Sequence, residues 1–372
     1  MPWFVRLHNA ILLRHEMKIL AINPGGMSTK IAVYEGMCPI FSESICHSVD
    51  DLSVFASIAD QKKYRKQLIL ESLIKHRISL SEIDAFVGRG GMVRNLPSGV
   101  YRINDAYLHD ARIGLNGQHA SNLGGILAYE MAKEGNVKND AYIVDPVVVD
   151  EYDDVAKFSG MVDISRVRSF HALNQKAVAR RYAREVGRDY NDLKLIVAHL
   201  GSGVSVGAHK NGRVIDVNSA LGGDGPMSPE RAGGVPPLAL IDICFSGKFT
   251  YQQIYKMLIG EGGVYSYLGT KDMQRVELMV RQGDMHARSI MEGMAYQVAK
   301  EISSLSAALY GEVDAVIITG SIANSALITD WISSRVRSIS KNLIVYPGED
   351  EMKALAEGVF DALHGRRAVL EY

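Results

Sequence analysis

The sequence predicts an α/β protein with two lobes of similar design, because two structural patterns each occur twice in its 372 residues. The first pattern is three short strands joined by glycine turns, and its glycines Gly25 and Gly36 recur 176 positions later as Gly201 and Gly212. The second pattern is an apolar strand that follows a helix and ends in a glycine turn. Its Gly90 recurs 230 positions later as Gly320. Two such halves predict a cleft between them, with the turns facing each other.

The first pattern has the alternation of short strands and tight turns that is typical of an antiparallel meander. The strands of the two copies are predicted at Lys18–Asn23, Thr29–Tyr34 and Cys38–Ile45, and again at Leu193–His199, Val204–His209 and Arg213–Val217.

The strand of the second pattern is continuously apolar, which is typical of a buried parallel strand. It covers Ile83–Val87 in the first copy and Val313–Ile317 in the second. Helices are predicted before these strands, at Lys62–Arg77 and Ser289–Tyr310, and Gly311 supplies a stop signal for the second helix.

Composition and charge narrow the class of protein. The formal net charge of -1 lacks the basic excess of nucleic-acid-binding proteins. No apolar run is long enough to span a bilayer, so we expect no membrane partner. The three cysteines suit a reducing compartment, and we expect a cytoplasmic protein. Residues 1–16 are expected to be an N-terminal extension or a misassigned start.

The repeated glycine turns favour phosphate binding. Glycine lets successive backbone N–H groups point at an anion without a Cβ in the way, and small hydroxyl side chains add donors. Single glycines more often only close hairpins, but four of them in two matched pairs favour the functional interpretation. Neither a P-loop nor a Rossmann fingerprint is present. The hydroxyl groups in these turns belong to Ser28, Thr29, Ser202, Ser205, Thr319 and Ser321.

Five segments resemble signatures of the acetate and butyrate kinase family, and the resemblance extends from Met17 to the C-terminus. They are Asn23–Lys30, His199–Ser205, Pro226–Pro237, Thr319–Ser325 and Tyr346–Met352.

The resemblance implies the fold of the sugar kinase, heat-shock and actin superfamily: two ribonuclease-H-like lobes of the actin type, with mixed sheets. The lobes are expected at residues 17–150 plus 355–372 and at residues 151–354. It also implies that ATP and a short-chain carboxylate give ADP and an acyl phosphate with Mg²⁺, and that the protein is a homo-oligomer.

The resemblance further implies a set of site residues. Arg89 and Arg231 would hold the two anions, since arginine binds carboxylate and phosphate bidentately. His199 would donate to the phosphoryl group, His119 would lie near the acceptor, and Asn23 would bridge phosphate and acceptor. His171 also matches a family histidine, but the residues after it differ, so its role stays open. The residues implied on the phosphate and nucleotide side are Gly25, Ser28, Gly201, Ser202, Gly203, Asp272, Gly320 and Asn324.

Two acids are implied on the metal side. Asp145 follows a predicted strand, Ala141–Val144, and could hold Mg²⁺ directly or through water, although an Asp before a proline often only caps a turn. Glu351 is the second, with Asp350 as the alternative, although acids here also suit the start of a helix.

Details within the family resemble butyrate kinase. Gly26 and Met27 stand where acetate kinases tend to have serines, which predicts a roomier and more apolar acceptor site. Gln274 stands where acetate kinases carry an arginine, so adenine contacts are expected to differ. The alternatives are an acetate or propionate kinase, an actin-like or chaperone-like ATPase, and a nucleotide-binding regulator that has lost its chemistry.

Overall fold

The computed structural model describes residues 16–135, 141–166 and 168–372. The predicted N-terminal extension therefore lies, apart from Glu16, outside the described residues. The strands are β1 (Lys18–Pro24), β2 (Ser28–Glu35), β3 (Cys38–Cys46), β4 (Ala85–Gly88), β5 (Val100–Arg102), β6 (Ala141–Val144), β7 (Phe158–Met161), β8 (Ile164–Ser165), β9 (Leu195–Leu200), β10 (Val204–Lys210), β11 (Arg213–Val217), β12 (Ala315–Gly320), β13 (Leu343–Pro347) and β14 (Val369–Glu371).

The α-helices alternate with these strands. They are α1 (Val49–Ser53), α2 (Lys62–Lys75), α3 (Asp105–Ile113), α4 (Asn122–Glu134), α5 (Ala172–Glu185), α6 (Pro237–Cys244), α7 (Tyr251–Leu258), α8 (Gly263–Leu268), α9 (Met273–Arg281), α10 (Met285–Leu305), α11 (Ala326–Val336) and α12 (Glu351–Leu363).

Two mixed sheets repeat one topology. The first has the order β14-β5-β6-β4-β1-β2-β3 and the second the order β11-β10-β9-β12-β13. In each, an antiparallel meander is continued by parallel strands: β1 pairs with β2 and β4, as β9 pairs with β10 and β12. The fold class predicted from the repeated glycine turns is confirmed.

Helices cover both faces of each sheet. On the outer faces, α4 packs on β1, β4 and β6, and α10 packs on β9 and β10. On the inner faces, α12 packs on β1, β4 and β6, while α5 packs on β9 and β12. The two inner helices also pack against each other, so α5 and α12 form the centre of the contact between the lobes.

The C-terminal segment returns to the first sheet, because α12 covers β1 and β14 pairs with β5. The boundary predicted between residues 354 and 355 falls inside α12, whose buried residues on both sides of that point join one apolar cluster with β1. The rest of the division into lobes stays a prediction.

Candidate active site

Asn23, Arg89 and Glu351 meet at the carboxyl ends of the first sheet's central strands. Asn23 is the next-to-last residue of β1, Arg89 directly follows β4, and Glu351 is the first residue of α12. Asn23 Nδ2 donates to Glu351 Oε2 at 2.6 Å, and Arg89 Nη1 donates to the same oxygen at 2.8 Å. Arg89 Nη1 also lies 3.4 Å from Asn23 Oδ1. Three predicted residues are thus joined by hydrogen bonds, and Glu351 rather than Asp350 is the acid among them.

His199 lies in β9 and is fully buried. Asn174 of α5 donates from Nδ2 to the Glu349 carbonyl at 2.8 Å, so its Oδ1 faces the imidazole. His199 Nδ1 therefore donates to Asn174 Oδ1 at 2.8 Å. His199 Nε2 has no hydrogen-bond partner among the described residues, which leaves this buried nitrogen for a ligand.

His171 stacks on His199, with ring centroids 3.7 Å apart and planes inclined by 11°. Its Nδ1 lies 2.9 Å from Ser205 Oγ. Burial, followed by the charges of His199, Arg89 and Arg231, holds the pKa of His171 well below its usual value, so the ring is neutral at neutral pH. The sequence left the role of His171 open. The structure places it in direct contact with His199, one of the predicted site residues.

Glu349 is an acid that the sequence analysis left out of the site. Its Oε1 lies 3.7 Å from His199 Nε2. The pKa of its carboxyl is lowered, chiefly by interaction with His199 and with smaller contributions from Lys30 and Arg89, so it is ionised at neutral pH. Gly201 lies over both groups, because a Cβ there would be 3.0 Å from His199 Nε2 and 3.3 Å from Glu349 Oε1.

Arg231 approaches from the loop after β11. Its Nη1 donates to the Ala220 carbonyl, and its buried Nε has no hydrogen-bond partner among the described residues. No ion pair to a carboxylate is found for it within those residues either. Gly203 leaves the room for its guanidinium, since a Cβ there would collide with Arg231 Nη1. A guanidinium without an anionic partner is suited to bind an anionic ligand.

Arg89 and Arg231 line one small cavity of about 100 Å³. The histidines His119 and His171 contribute further polar groups to it. The rest of the wall is apolar except for Ser169, and its apolar residues are Met92, Val147, Phe170, Ala220 and Leu221. Gly26 and Met27 are not among the lining residues, and Met27 is half exposed at its turn. The role expected for Gly26 and Met27 at the acceptor thus finds no support in this cavity, whose apolar wall is formed by other residues.

His119 faces this cavity and is accessible from it. The Ser121 amide donates to its Nδ1 at 3.2 Å, so the neutral ring carries its proton on Nε2. Desolvation by the walls, then the charges of Arg89 and Arg231, lower the pKa of His119, while Glu351 opposes this shift. His119 is therefore a neutral hydrogen-bond donor at neutral pH.

A larger cavity of about 430 Å³ brings together four residues predicted on the nucleotide side, Gly201, Ser202, Asp272 and Asn324. Asp272 also caps α9, where its Oδ1 accepts from the amides of Gln274 and Arg275. Gln274 lines the cavity as well. The turn between β9 and β10 connects the two cavities, since Gly201 lines the larger and Gly203 packs on Arg231 of the smaller.

Gly320 ends β12 with φ +94°, and a Cβ there would collide with the backbone of Leu200. Its amide donates to the Gly348 carbonyl at 3.0 Å. These contacts hold the carboxyl end of β12 against that of β9 and bring Asn324 to the cavity. Asn324 Nδ2 is bonded to the Ser321 carbonyl at 2.9 Å.

The first glycine turn contains Gly25 and Ser28 and is held from behind by Arg65, a buried residue of α2 that the sequence analysis missed. Arg65 donates to the carbonyls of Gly25 at 2.9 Å, Gly26 at 3.0 Å and Ser28 at 3.2 Å. Because these carbonyls point towards α2, the turn is fixed in one conformation. No motif indicated Arg65, because the carbonyls to which it donates belong to a turn that is distant from it in the sequence.

Asp145 lies apart from the Asn23–Arg89–Glu351 group and is completely buried. Its Oδ1 accepts from Ser98 Oγ at 2.6 Å, from the Gly99 amide at 2.9 Å and from Arg367 at 3.3 Å. Its Oδ2 accepts from Arg180 at 3.0 Å. These donors occupy the acceptor positions of the carboxylate. A metal role for Asp145 stays a prediction. Binding a metal ion would require the carboxylate to release some of these hydrogen-bond donors.

The carboxylates of Glu351 and Glu349 fit Mg²⁺ better. Glu349 Oε1 lies beside Gly201, which lines the larger cavity, and Glu351 follows two residues later along the chain. Mg²⁺ is typically held by one or two carboxylates together with substrate phosphates and water. Among the described residues, no three His, Cys, Asp or Glu side chains form a group that could hold a metal ion by themselves. A metal here would accordingly need the phosphates of the nucleotide as further ligands.

Comparison with known proteins shows similarity to acetate and propionate kinases. Residues 157–340 match the Acetokinase family. Acetate kinase from Porphyromonas gingivalis superposes with a TM-score of 0.72 at 19% identity, covering 92% of this chain and 99% of the other. A propionate kinase from Francisella tularensis gives a TM-score of 0.71 at 20% identity, covering 92% and 98%. Acetate kinase from Entamoeba histolytica gives 0.72 at 15%, with the same coverage of 92% and 98%.

At these identities the three structures establish the two-lobed actin-like fold for this chain. No helix in the described ranges is both long and apolar enough to cross a membrane. Residues 157–340, a little under half of the chain, are thus similar to the Acetokinase family, and the fold of the chain is that of the acetate and propionate kinases.

Proposed function

We propose that this protein transfers the terminal phosphoryl group of ATP to the carboxylate of a short-chain fatty acid, giving ADP and an acyl phosphate. The observation that supports it most directly is the small cavity lined by Arg89 and Arg231 from opposite lobes, with an apolar wall beside them. An acid bound there would place its carboxylate on the guanidinium groups and its acyl chain against the wall.

The chemistry requires positioning more than proton transfer. A carboxylate is already a nucleophile at neutral pH, so one of its oxygens can attack the terminal phosphorus while the bond to the ADP oxygen breaks. No proton needs to move, but two anions must approach each other. Arg231 and Arg89 would offset this repulsion, and His119 would donate from Nε2 to the phosphoryl oxygens. His199 would need a proton on both ring nitrogens to donate there as well, because its Nδ1 proton is already shared with Asn174.

The nucleotide would occupy the larger cavity. Backbone amides of the turns at Gly25 and Gly201–Gly203, with Ser28 and Ser202, would hold its phosphates, and Asp272, Gly320 and Asn324 would lie on the adenosine side. Mg²⁺ bound by Glu351 and Glu349 would neutralise charge on the phosphates. Asn23 would keep Glu351 in place for this role.

We propose a C4 or C5 acid, such as butyrate, as the acceptor. The cavity of about 100 Å³ is far below the roughly 300–1,000 Å³ of sites for drug-sized ligands. It therefore suits a ligand of a few carbon atoms, and its apolar side chains favour a chain longer than that of acetate. Each well-buried methylene contributes about 1–3 kcal/mol to such discrimination. An acetate or propionate kinase is the alternative.

The experiment is ADP release measured with ATP, Mg²⁺ and a panel of C2 to C5 acids against a blank without acid, with the acyl phosphate trapped as its hydroxamate. We expect acid-dependent ADP release and the highest kcat/KM for C4 or C5 acids. A maximum at acetate or propionate would leave the carboxylate kinase intact and reject the butyrate assignment. ADP release that is independent of any acid would reject both.

A further inference from the structure

A row of polar residues crosses the interior of the second lobe along β10. Successive side chains of a strand point to opposite faces of the sheet. On one face of β10 the side chains are apolar and join the cluster that includes α10; they belong to Val204, Val206 and Ala208. On the other face lie Ser205, Gly207 and His209, and these residues are buried as well. Because a buried polar group is costly unless it is hydrogen-bonded, Ser205 and His209 need partners inside the protein.

Gln175, a fully buried residue of α5, is the partner of both. Its Nε2 donates to the Ser205 carbonyl at 3.1 Å and to Ser205 Oγ at 2.9 Å. Its Oε1 lies 3.0 Å from His209 Nε2. Gly207 leaves the room for this side chain, because a Cβ there would be 2.5 Å from Gln175 Oε1. A glycine inside a strand often marks such a close approach, so the contact is built into the strand.

The directions of these hydrogen bonds follow from the groups that make them. A carbonyl can only accept, so the Ser205 carbonyl fixes which end of the Gln175 amide faces it. The amide oxygen then faces His209, whose Nε2 must carry a proton. Burial holds the pKa of His209 well below its usual value, so the ring is neutral and its Nδ1 carries no proton. This Nδ1 accepts from the hydroxyl of Tyr190, 2.7 Å away.

Ser205 extends the same direction to His171, which immediately precedes α5. Because Ser205 Oγ accepts from Gln175, its own proton is left for His171 Nδ1, 2.9 Å away. The His171 ring is neutral, since burial holds its pKa well below the usual value, and its proton is therefore on Nε2. His171 lines the small cavity, so this N–H group is what it offers to a ligand. The stacked ring of His199 has the opposite orientation, because it donates from Nδ1 to Asn174.

We propose that Gln175 and His209 are positioning residues, which act through Ser205 to keep His171 in the tautomer with its proton on Nε2. The tautomer of a histidine is set by the hydrogen bond that its other nitrogen makes. This role rests on the proposed phosphoryl transfer, in which both reactants are anions. An N–H group at the small cavity attracts their oxygens, whereas a bare ring nitrogen would repel them.

The first test is the imidazole nitrogen NMR spectrum of the full chain, labelled with nitrogen-15 at histidine, at neutral pH and without ligands. Protonated and bare ring nitrogens differ strongly in chemical shift, so the spectrum identifies the tautomer of each neutral ring. The variants H171Q and H209Q assign the two sets of signals by their absence. We expect both rings to be protonated on Nε2 and bare on Nδ1. A wild-type spectrum with the His171 proton on Nδ1 would overturn the proposal, whether or not any further variant folds.

The second test is Gln175→Met, which removes the amide with little change in side-chain length. Ser205 Oγ can then accept from His171 Nδ1, so the His171 signals should shift towards a mixture of tautomers. We expect kcat with the best acid of the panel to fall by about threefold or more, and the KM for ATP to change by less than about twofold, because a wrong tautomer impairs the reaction more than binding.

Thr329→Val is the matched control. It removes a buried hydroxyl of α11 that donates to the carbonyls of Ser325 and Ala326, and it should change neither the His171 signals nor kcat. Unchanged His171 signals in folded Gln175→Met, or shifted signals with unchanged kcat, would reject the positioning role. Failure of the proposed function itself is seen separately, as ADP release that does not depend on any acid.

Discussion

At the scale of single residues, the two arginines of the candidate active site differ in the groups that they already bind. Arg89 donates to Glu351 at 2.8 Å and is thereby oriented before any ligand arrives. Within the part of the chain that the structure describes, the Arg231 guanidinium donates only to the Ala220 carbonyl, and its buried Nε makes no hydrogen bond. A buried guanidinium without an anion is unfavourable. We therefore expect the interaction between Arg231 and the anionic reactants to contribute more to the free energy of binding than that of Arg89.

Arg231→Ala should therefore lower kcat/KM by about 10²–10³-fold, the usual effect of losing one preorganised donor. ATP affinity should change by no more than a few-fold, because Arg231 does not line the larger cavity that we propose for the nucleotide. Arg231→Lys should not restore activity, since a lysine cannot bind bidentately. Steady-state kinetics and nucleotide titration are the measurements, with Arg112→Ala as a surface control. Full activity in Arg231→Ala would remove this arginine from the mechanism.

The length of the acceptor should depend on Leu221, which lies in a loop and lines the small cavity. Leu221→Phe fills part of the acyl space without changing β-strands or helices. We expect kcat/KM to fall by about tenfold or more for C4 and C5 acids and to change little for acetate, since each lost methylene site is worth about 1–3 kcal/mol. If all acids lose activity equally, the acyl chain lies elsewhere.

At the scale of elements, the glycine turns have different structural requirements although they look alike in sequence. Arg65 of α2 fixes the first turn through its carbonyls. Gly26 in that turn has open space where a Cβ would be, whereas Gly203 in the equivalent second turn is packed against Arg231 and the Ala220 carbonyl. The glycine is thus required by close packing at one position and not at the other.

Gly203→Ala should consequently displace Arg231 and lower kcat by at least about tenfold, because a misplaced catalytic group loses most of its effect. Gly26→Ala is the matched control and should retain nearly full turnover, since the added methyl group meets no atom within 4 Å. Kinetics of both variants, with thermal unfolding to confirm folding, decide the point. Equal activity of the two variants would contradict the assigned packing.

At the scale of the whole molecule, the lobes are connected by α5 against α12 and by one buried ion-pair group. Asp145 directly follows β6 of the first sheet, Arg180 belongs to α5 of the second lobe, and Arg367 belongs to the C-terminal segment. Burial raises the pKa of Asp145, but Arg180 and Arg367 outweigh this and hold it well below its usual range. The carboxylate is therefore ionised and connects three segments of the chain.

Asp145→Asn should destabilise the metal-free protein by about 3–5 kcal/mol at pH 7, because it leaves two partly buried guanidinium groups without an anion. The native pKa of Asp145 is depressed, so its stabilisation is fully present above the unfolded value of about 3.9 and is lost as pH falls through the native value. The difference between wild type and variant should thus shrink below about pH 4. Urea unfolding with EDTA present measures this, and a difference of under about 1 kcal/mol at pH 7 would contradict it.

The repeated patterns of the sequence were sufficient to predict the architecture. Strand and turn positions recur because each lobe must bury the same kind of sheet. The predicted strands differ from the observed ones by only a few residues; for example, Leu193–His199 was predicted where β9 covers Leu195–Leu200. The site was predicted through local motifs around Asn23, Arg89, His199 and Arg231. Arg65 and Glu349 were missed, because each acts through partners that are distant in sequence.

By itself, the sequence determined the two α/β halves, the glycine turns and the motif residues, since these depend on apolar spacing and on local backbone requirements. Only the tertiary structure decided that Glu351 and not Asp350 meets Arg89, that His171 stacks on His199, and that the carboxylate of Asp145 is bound by Arg180 and Arg367. These pairings depend on how α5 and α12 pack between the sheets. That packing brings together side chains from across the chain, and no local pattern specifies which atoms then meet.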